Sequence, residues 1–178
     1  NGLSTLKPHT LQFKNYKKDD GLHDVFFKEN AVFKSPTNDK LYFGGVNGFN
    51  VFHPDSIKID STKPPVVISS VEIYKDTAFQ EIVPDRSKGI PKVQLVYGEK
   101  VLRIKFAALH FVAPALNQFA VKMEGDEEDW RFLNHQAEVT YTNLDAGTYT
   151  FRLKAANRDG IWSERGTSLK VVVLPPWW

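Results

Sequence analysis

The sequence predicts an all-β chain in which a partial β-propeller blade precedes a β-sandwich. Three observations predict it. A pattern of turn residues and hydrophobes recurs at an offset of 47 − 1 = 46 residues, the size of one propeller blade. A proline pair, Pro64-Pro65, then interrupts the chain. Beyond it, short alternating runs follow one another with turn signals between them and no helical periodicity.

The repeat is read first. Asn1-Gly-Leu-Ser-Thr-Leu-Lys-Pro8 is echoed by Asn47-Gly-Phe-Asn-Val-Phe-His-Pro54, and Thr10–Phe13 by Ser56–Ile59. Between the copies, Asp24–Phe27, Ala31–Phe33 and Leu41–Phe43 read as strands. Lys28–Asn30 and Ser35–Lys40 read as turns. Gly44-Gly45 and Asn47-Gly48 supply positive φ for tight reversals. Residues 1–58 thus form a C-terminal blade fragment. A lone repeat cannot bury its own faces, so it must dock on the next domain, pair with another chain or be partly mobile.

Residues 59–65 read as a linker and 66–178 as the sandwich. Val66–Tyr74 is its first strand and Val93–Tyr97 the second, after an irregular stretch from Asp76 to Pro91. Val101–Phe106 alternates, with Leu102, Ile104 and Phe106 inward. Phe119–Met123, Trp130–Leu133, Ala137–Tyr141 and Tyr149–Ala155 follow, and Leu169–Leu174 closes the sheet. Tyr149, Phe151, Leu153 and Ala155 are predicted core, and Trp130 and Trp162 occupy core-type positions.

Composition removes several function classes. The 178 residues are 42% hydrophobic, enough for a core, with a formal charge of +2 and lysines and arginines scattered among acids. No clustered basic run points to nucleic acid. Without cysteine there is no disulfide, thiolate metal site or thiol nucleophile. The run Glu124–Asp129 lacks the alternating ligands of a calcium loop and reads as a solvated hairpin tip. His9, His23, His53, His110 and His135 show no metal-ligand spacing. Ser69 and Ser70 lack the glycines of a nucleophile elbow. No catalytic, cofactor or metal residue is assigned.

Leu144, Gly147 and Tyr149 have the spacing of a tyrosine corner, in which a strand-initial tyrosine bonds back to the preceding loop. Gly147 is read as permitting the sharp turn, and Asn157–Gly160 as the next hairpin turn. This segment resembles fibronectin type III domains, so the predicted sandwich is of the immunoglobulin or fibronectin III kind.

The whole pattern resembles a narrower family. Leu102–Phe106, Ala107–Phe111, Pro114, Asn117, Met123-Glu-Gly125, Trp130, the Tyr141–Tyr149 corner, Ala155–Gly160 with Trp162, and Pro175-Pro176-Trp177-Trp178 look like the Y_Y_Y domain of bacterial hybrid two-component sensors. Tyr42–Asn50 with Pro54-Asp55 resemble the last blade of the propellers that precede it. Phe119 and Val121 stand where that family often has tyrosine.

The resemblance implies a periplasmic, membrane-proximal, non-catalytic segment of a sensor histidine kinase. It implies upstream blades that hold most of an oligosaccharide ligand, and a membrane helix soon after Trp178. A homodimer is expected for the parent, signalling by rearrangement. Both ends of the chain read as cuts through a longer protein. Pro175, Pro176, Trp177 and Trp178 are the expected signal-transmitting terminus. The tryptophans either sit at a bilayer interface or pack on the lower end of the sandwich. The rival readings are an accessory spacer or carbohydrate-binding module of a secreted glycan-degrading enzyme, and an adhesin or plain spacer.

Overall fold

The structure, a computed structural model, describes residues 2–58, 60–87, 89–99, 101–111 and 114–177. It divides into two compact units, Asn1–Ile59 and Asp60–Trp178.

In the first unit, β1 (Leu3–Lys7) and β2 (Gln12–Tyr16) form an antiparallel hairpin. β3 (Phe27–Lys34), β4 (Leu41–Gly45) and β5 (Gly48–Phe52) form a three-stranded meander. The first parts of the sequence echo fold alike, since β1 and β5 are each followed by a turn that begins at proline, Pro8 or Pro54, whereas Gln12 and Phe13 then enter β2 and Ile57 and Lys58 enter no strand.

Three local expectations are corrected here. Asp24–Phe26 is not strand. Asp24 turns its carboxylate back to accept the N–H of Phe26 at 3.0 Å and that of Asn47 at 2.8 Å. Lys28–Asn30 is not a turn but part of β3, where Asn30 at φ 57° makes a bulge between Phe27 and Val32. Gly44 and Gly45 lie in β4, paired with Phe49 and Gly48, and neither has positive φ. What Gly45 supplies is space, since a Cβ there would lie 2.8 Å from Asp24 Oδ2 and 3.0 Å from Phe26 O. Gly48 does take positive φ, 136°.

The second unit is a two-layer sandwich. One layer runs β12–β9–β6–β7, from β6 (Val66–Lys75), β7 (Ala78–Glu81), β9 (Val101–Ala108) and β12 (Glu138–Thr142). The other runs β11–β10–β13–β14–β8. Its strands are β8 (Lys92–Leu95), β10 (Gln118–Glu124), β11 (Arg131–Asn134), β13 (Gly147–Ala156) and β14 (Thr167–Val173). All pairs are antiparallel except β14 with β8, which is parallel. Three short 3-10 turns are the helical elements among the described residues.

The predicted alternation produces the core. Leu102, Ile104 and Phe106 of β9 and Tyr149, Phe151, Leu153 and Ala155 of β13 are buried, against Val71, Met123, Leu169 and Val171. The stretch after Asp76 is more ordered than expected. Asp76 adopts φ 58°, and the chain turns into β7, where Phe79 packs edge-on against Tyr74 at 5.3 Å.

Candidate functional site

The tyrosine corner forms. Tyr149 donates its hydroxyl hydrogen to the Asp145 carbonyl at 3.0 Å, Leu144 packs on the core, and burial raises the Tyr149 pKa. Gly147 is not the residue that turns the chain, because the positive φ is taken by Asn143, at 58°. A Cβ on Gly147 would make an ordinary contact of 3.5 Å with the Tyr149 oxygen.

The densest polar constellation joins the start of the unit to the β13–β14 turn. Asn157 is fully buried and uses its whole side-chain amide. Its Nδ2 donates to the carbonyls of Asp60 at 2.6 Å and Thr62 at 2.9 Å. Its Oδ1 accepts the N–H groups of Asp159 and Ile161, each at 3.0 Å. Asp159 in turn accepts the Asp60 N–H at 2.6 Å. Gly160, at φ 76°, closes the predicted turn.

The Asp60 carboxylate accepts the Thr62 N–H at 2.9 Å and faces His110 Nε2 at 2.7 Å. Thr62 first, and then His110, hold the Asp60 pKa below the ordinary carboxylate range. Behind His110, Asn117 donates to the His110 carbonyl at 3.3 Å, and its own carbonyl accepts from His135 Nδ1 at 3.0 Å. The segment from Asp60 to Pro65, read from sequence as a linker, is therefore clasped to the sandwich. Asn157 was visible in sequence only as a turn residue, and its partners lie 95 and 97 positions away.

Trp130 and Trp162 are not core residues. Both are half-buried and border a surface cluster in which Lys154 Nζ lies 4.2 Å from the Trp130 ring centroid and 5.4 Å from that of Trp162. Phe132, 60% exposed, meets Trp162 edge-on at 5.5 Å. Trp177 is 91% exposed. Pro175 and Pro176 follow β14, and Trp178 lies outside the described residues.

On the outer face of the β12–β9–β6–β7 layer, Glu72 accepts from Lys105 Nζ at 2.8 Å, from Arg103 Nε at 2.7 Å and from Ser70 at 3.1 Å. Lys105 and then Arg103 lower its pKa from 4.5 to about 2. Arg103 also lies 3.6 Å over the Phe79 ring. A cleft of about 470 Å³ opens beside Ser69, the bulged residue of β6, and is lined also by Ile82, Arg86 and Thr167. Among the described residues, no group of three or more His, Asp or Glu is placed to hold a metal ion.

Two layers ordered in this way, tied by a tyrosine corner, define a fibronectin type III-like sandwich. Residues 110–174, within the second unit, match the Y_Y_Y domain family. The chain is 32% identical over 181 aligned residues to Histidine kinase P4 of Formosa agariphila, covering 99% of this chain and 13% of that protein.

Among solved structures, it is similar to the extracellular domain of the hybrid two component system BT3049 from B. thetaiotaomicron. The TM-score is 0.85 and the identity 27%, over 98% of this chain and 24% of that one. The extracellular domain of BT4673 from the same organism, at 24% identity and TM-score 0.55 over 99% of this chain and 23% of that one, supports the fold alone. The chain thus spans about an eighth of its curated relative and about a quarter of the solved ones. Over nearly its whole length it is similar to an extracellular domain of a two-component system. No helix among the described residues is long and apolar enough to cross a membrane.

Proposed function

We propose that this chain is the periplasmic, membrane-proximal, non-catalytic end of a hybrid two-component sensor. The first unit is the last blade of a propeller whose upstream blades hold most of an oligosaccharide ligand. The Y_Y_Y sandwich relays ligand binding to a cytoplasmic histidine kinase through rearrangement of a homodimer. The observation that carries this reading is the similarity over 98% of the chain to the extracellular domain of a hybrid two component system.

Two features support the relay. The clasp of Asn157 and Asp60 fixes the incoming chain to the sandwich, and Pro175-Pro176 stiffens the outgoing one. A relay of this kind needs two states that the ligand binds unequally.

The test is titration calorimetry of the intact outer region against a glycan panel, paired with sedimentation analysis. Saturable binding of one glycan with a dimer in at least one state is expected. A region that stays monomeric with and without glycan overturns the dimer mechanism, and one that binds no glycan overturns the ligand class.

A further inference from the structure

The alternation that fills the sandwich core also sends Lys92, Lys122, Arg152, Lys154 and Lys170 to a single outer face, that of the β11–β10–β13–β14–β8 layer. In sequence these are isolated charges among acids, and register gathers them. Lys170 stands opposite Lys92, and Arg152 opposite Lys122. Lys154 comes two residues further along β13, opposite Ala120, which on its other side pairs with Phe132.

Three acidic or carbonyl partners answer them in part. Glu124 pairs with Arg152 at 2.6 Å, Asp85 is bridged backbone to backbone with Lys92 itself and feels its charge, and the Glu128 carbonyl accepts from Lys122. The other layer is different, for there Glu72 and Glu138 match Arg103 and Lys105 across neighbouring strands.

Like charges directly opposite each other on a sheet are destabilising. The Lys92–Lys170 pair is answered only on the Lys92 side, by Asp85, and a bound anion would offset it further. The cations follow a diagonal from β8 towards β11. With strands ~4.8 Å apart and same-face residues ~6.8 Å apart along a strand, the track is on the order of 20 Å long. It ends on the surface rings of Trp130, Phe132 and Trp162.

We propose that this track binds a linear polyanion, a carboxylated or sulfated polysaccharide, with its charges on the cations and a sugar ring against the aromatic end. A narrow line of charge suits a chain better than a flat lipid surface, and an extracytoplasmic module meets glycans rather than nucleic acid. The site is distinct from the one assigned above to the upstream blades.

The test uses the full 178-residue chain. Affinity for dextran sulfate, polygalacturonate and neutral dextran is measured by titration calorimetry over a range of salt. Binding to at least one polyanion and not to dextran is expected, with log affinity falling linearly against log salt as counterions are released.

The double variant Lys92→Glu/Lys170→Glu should weaken binding by about tenfold or more, whereas Lys28→Glu/Lys63→Glu, with the same charge change elsewhere, should stay within about twofold. Phe132→Ala should weaken the polysaccharide but leave inorganic polyphosphate unaffected. Equal losses in the two double variants overturn the proposal. So does a preference for a thymidine oligonucleotide or for anionic phosphatidylserine vesicles over both polysaccharides, and so does an absence of binding. None of these results bears on the sensor reading, which stands or falls on the intact outer region.

Discussion

At the scale of single residues, the sandwich is held by a few polar groups whose partners are far away in sequence. Tyr149→Phe removes only the hydroxyl bond to Asp145, and the expected loss is about 1 kcal/mol in chemical denaturation. Asn157→Ala should cost more, about 2–4 kcal/mol, because it leaves buried carbonyl and N–H groups unpaired. It should also raise hydrogen exchange at residues 60–65, which a purely local turn defect would leave protected.

Glu72 gives a pH dependence. Its folded pKa of about 2 lies below its ordinary 4.5, so the stabilisation is present above 4.5. It is lost as pH falls from 4.5 towards 2. Glu72→Gln should flatten that part of the stability–pH curve, read from urea midpoints at successive pH values.

Elements with clean period-two patterns were legible in the sequence: β9, β10 and β13 fall where alternation puts them, with Leu102, Ile104 and Phe151 inside. β7 was not legible, because Ala78-Phe79-Gln80-Glu81 alternates over too few residues and its start depends on Asp76 accepting positive φ. The β3 bulge was hidden for the same reason, since Asn30 reads equally as a turn. The tyrosine corner was legible because its contacts are local, and the Asn157 clasp was not because they are remote.

The surface position of Trp130 and Trp162 was misread because a large aromatic on a strand border scores as core, whatever face it occupies. At this scale, Gly45→Ala should destabilise the first unit by about 1–3 kcal/mol, since the Asp24 latch and the Phe26 carbonyl leave no room for a methyl. The effect is read from exchange protection in β4 and β5, with the sandwich strands unchanged.

Across the whole molecule the two units differ in kind. Every fully buried hydrophobic side chain among the described residues belongs to the second unit, from Val66 onward. In the first unit the buried groups are polar, Asp24, Ser35 and Asn50, while Leu11, Phe13, Phe33 and Phe49 are exposed. A unit built this way buries little apolar surface of its own. Hydrogen exchange on the full chain should therefore show β1–β5 losing protection in far milder denaturant than β9, β10 and β13. A single transition shared by both units would contradict this.

The parallel pairing of β14 with β8 has a mechanical side. β14 lies inside its layer, laddered to β13 on one flank and to β8 on the other, and Leu174 N–H still reaches the Leu95 carbonyl at 2.9 Å. A tug along Pro175-Pro176 would load both ladders in shear, all bonds at once, instead of peeling them one by one. The sandwich would then act as a stiff grip on that exit, moving as a body under tension before any strand slid free.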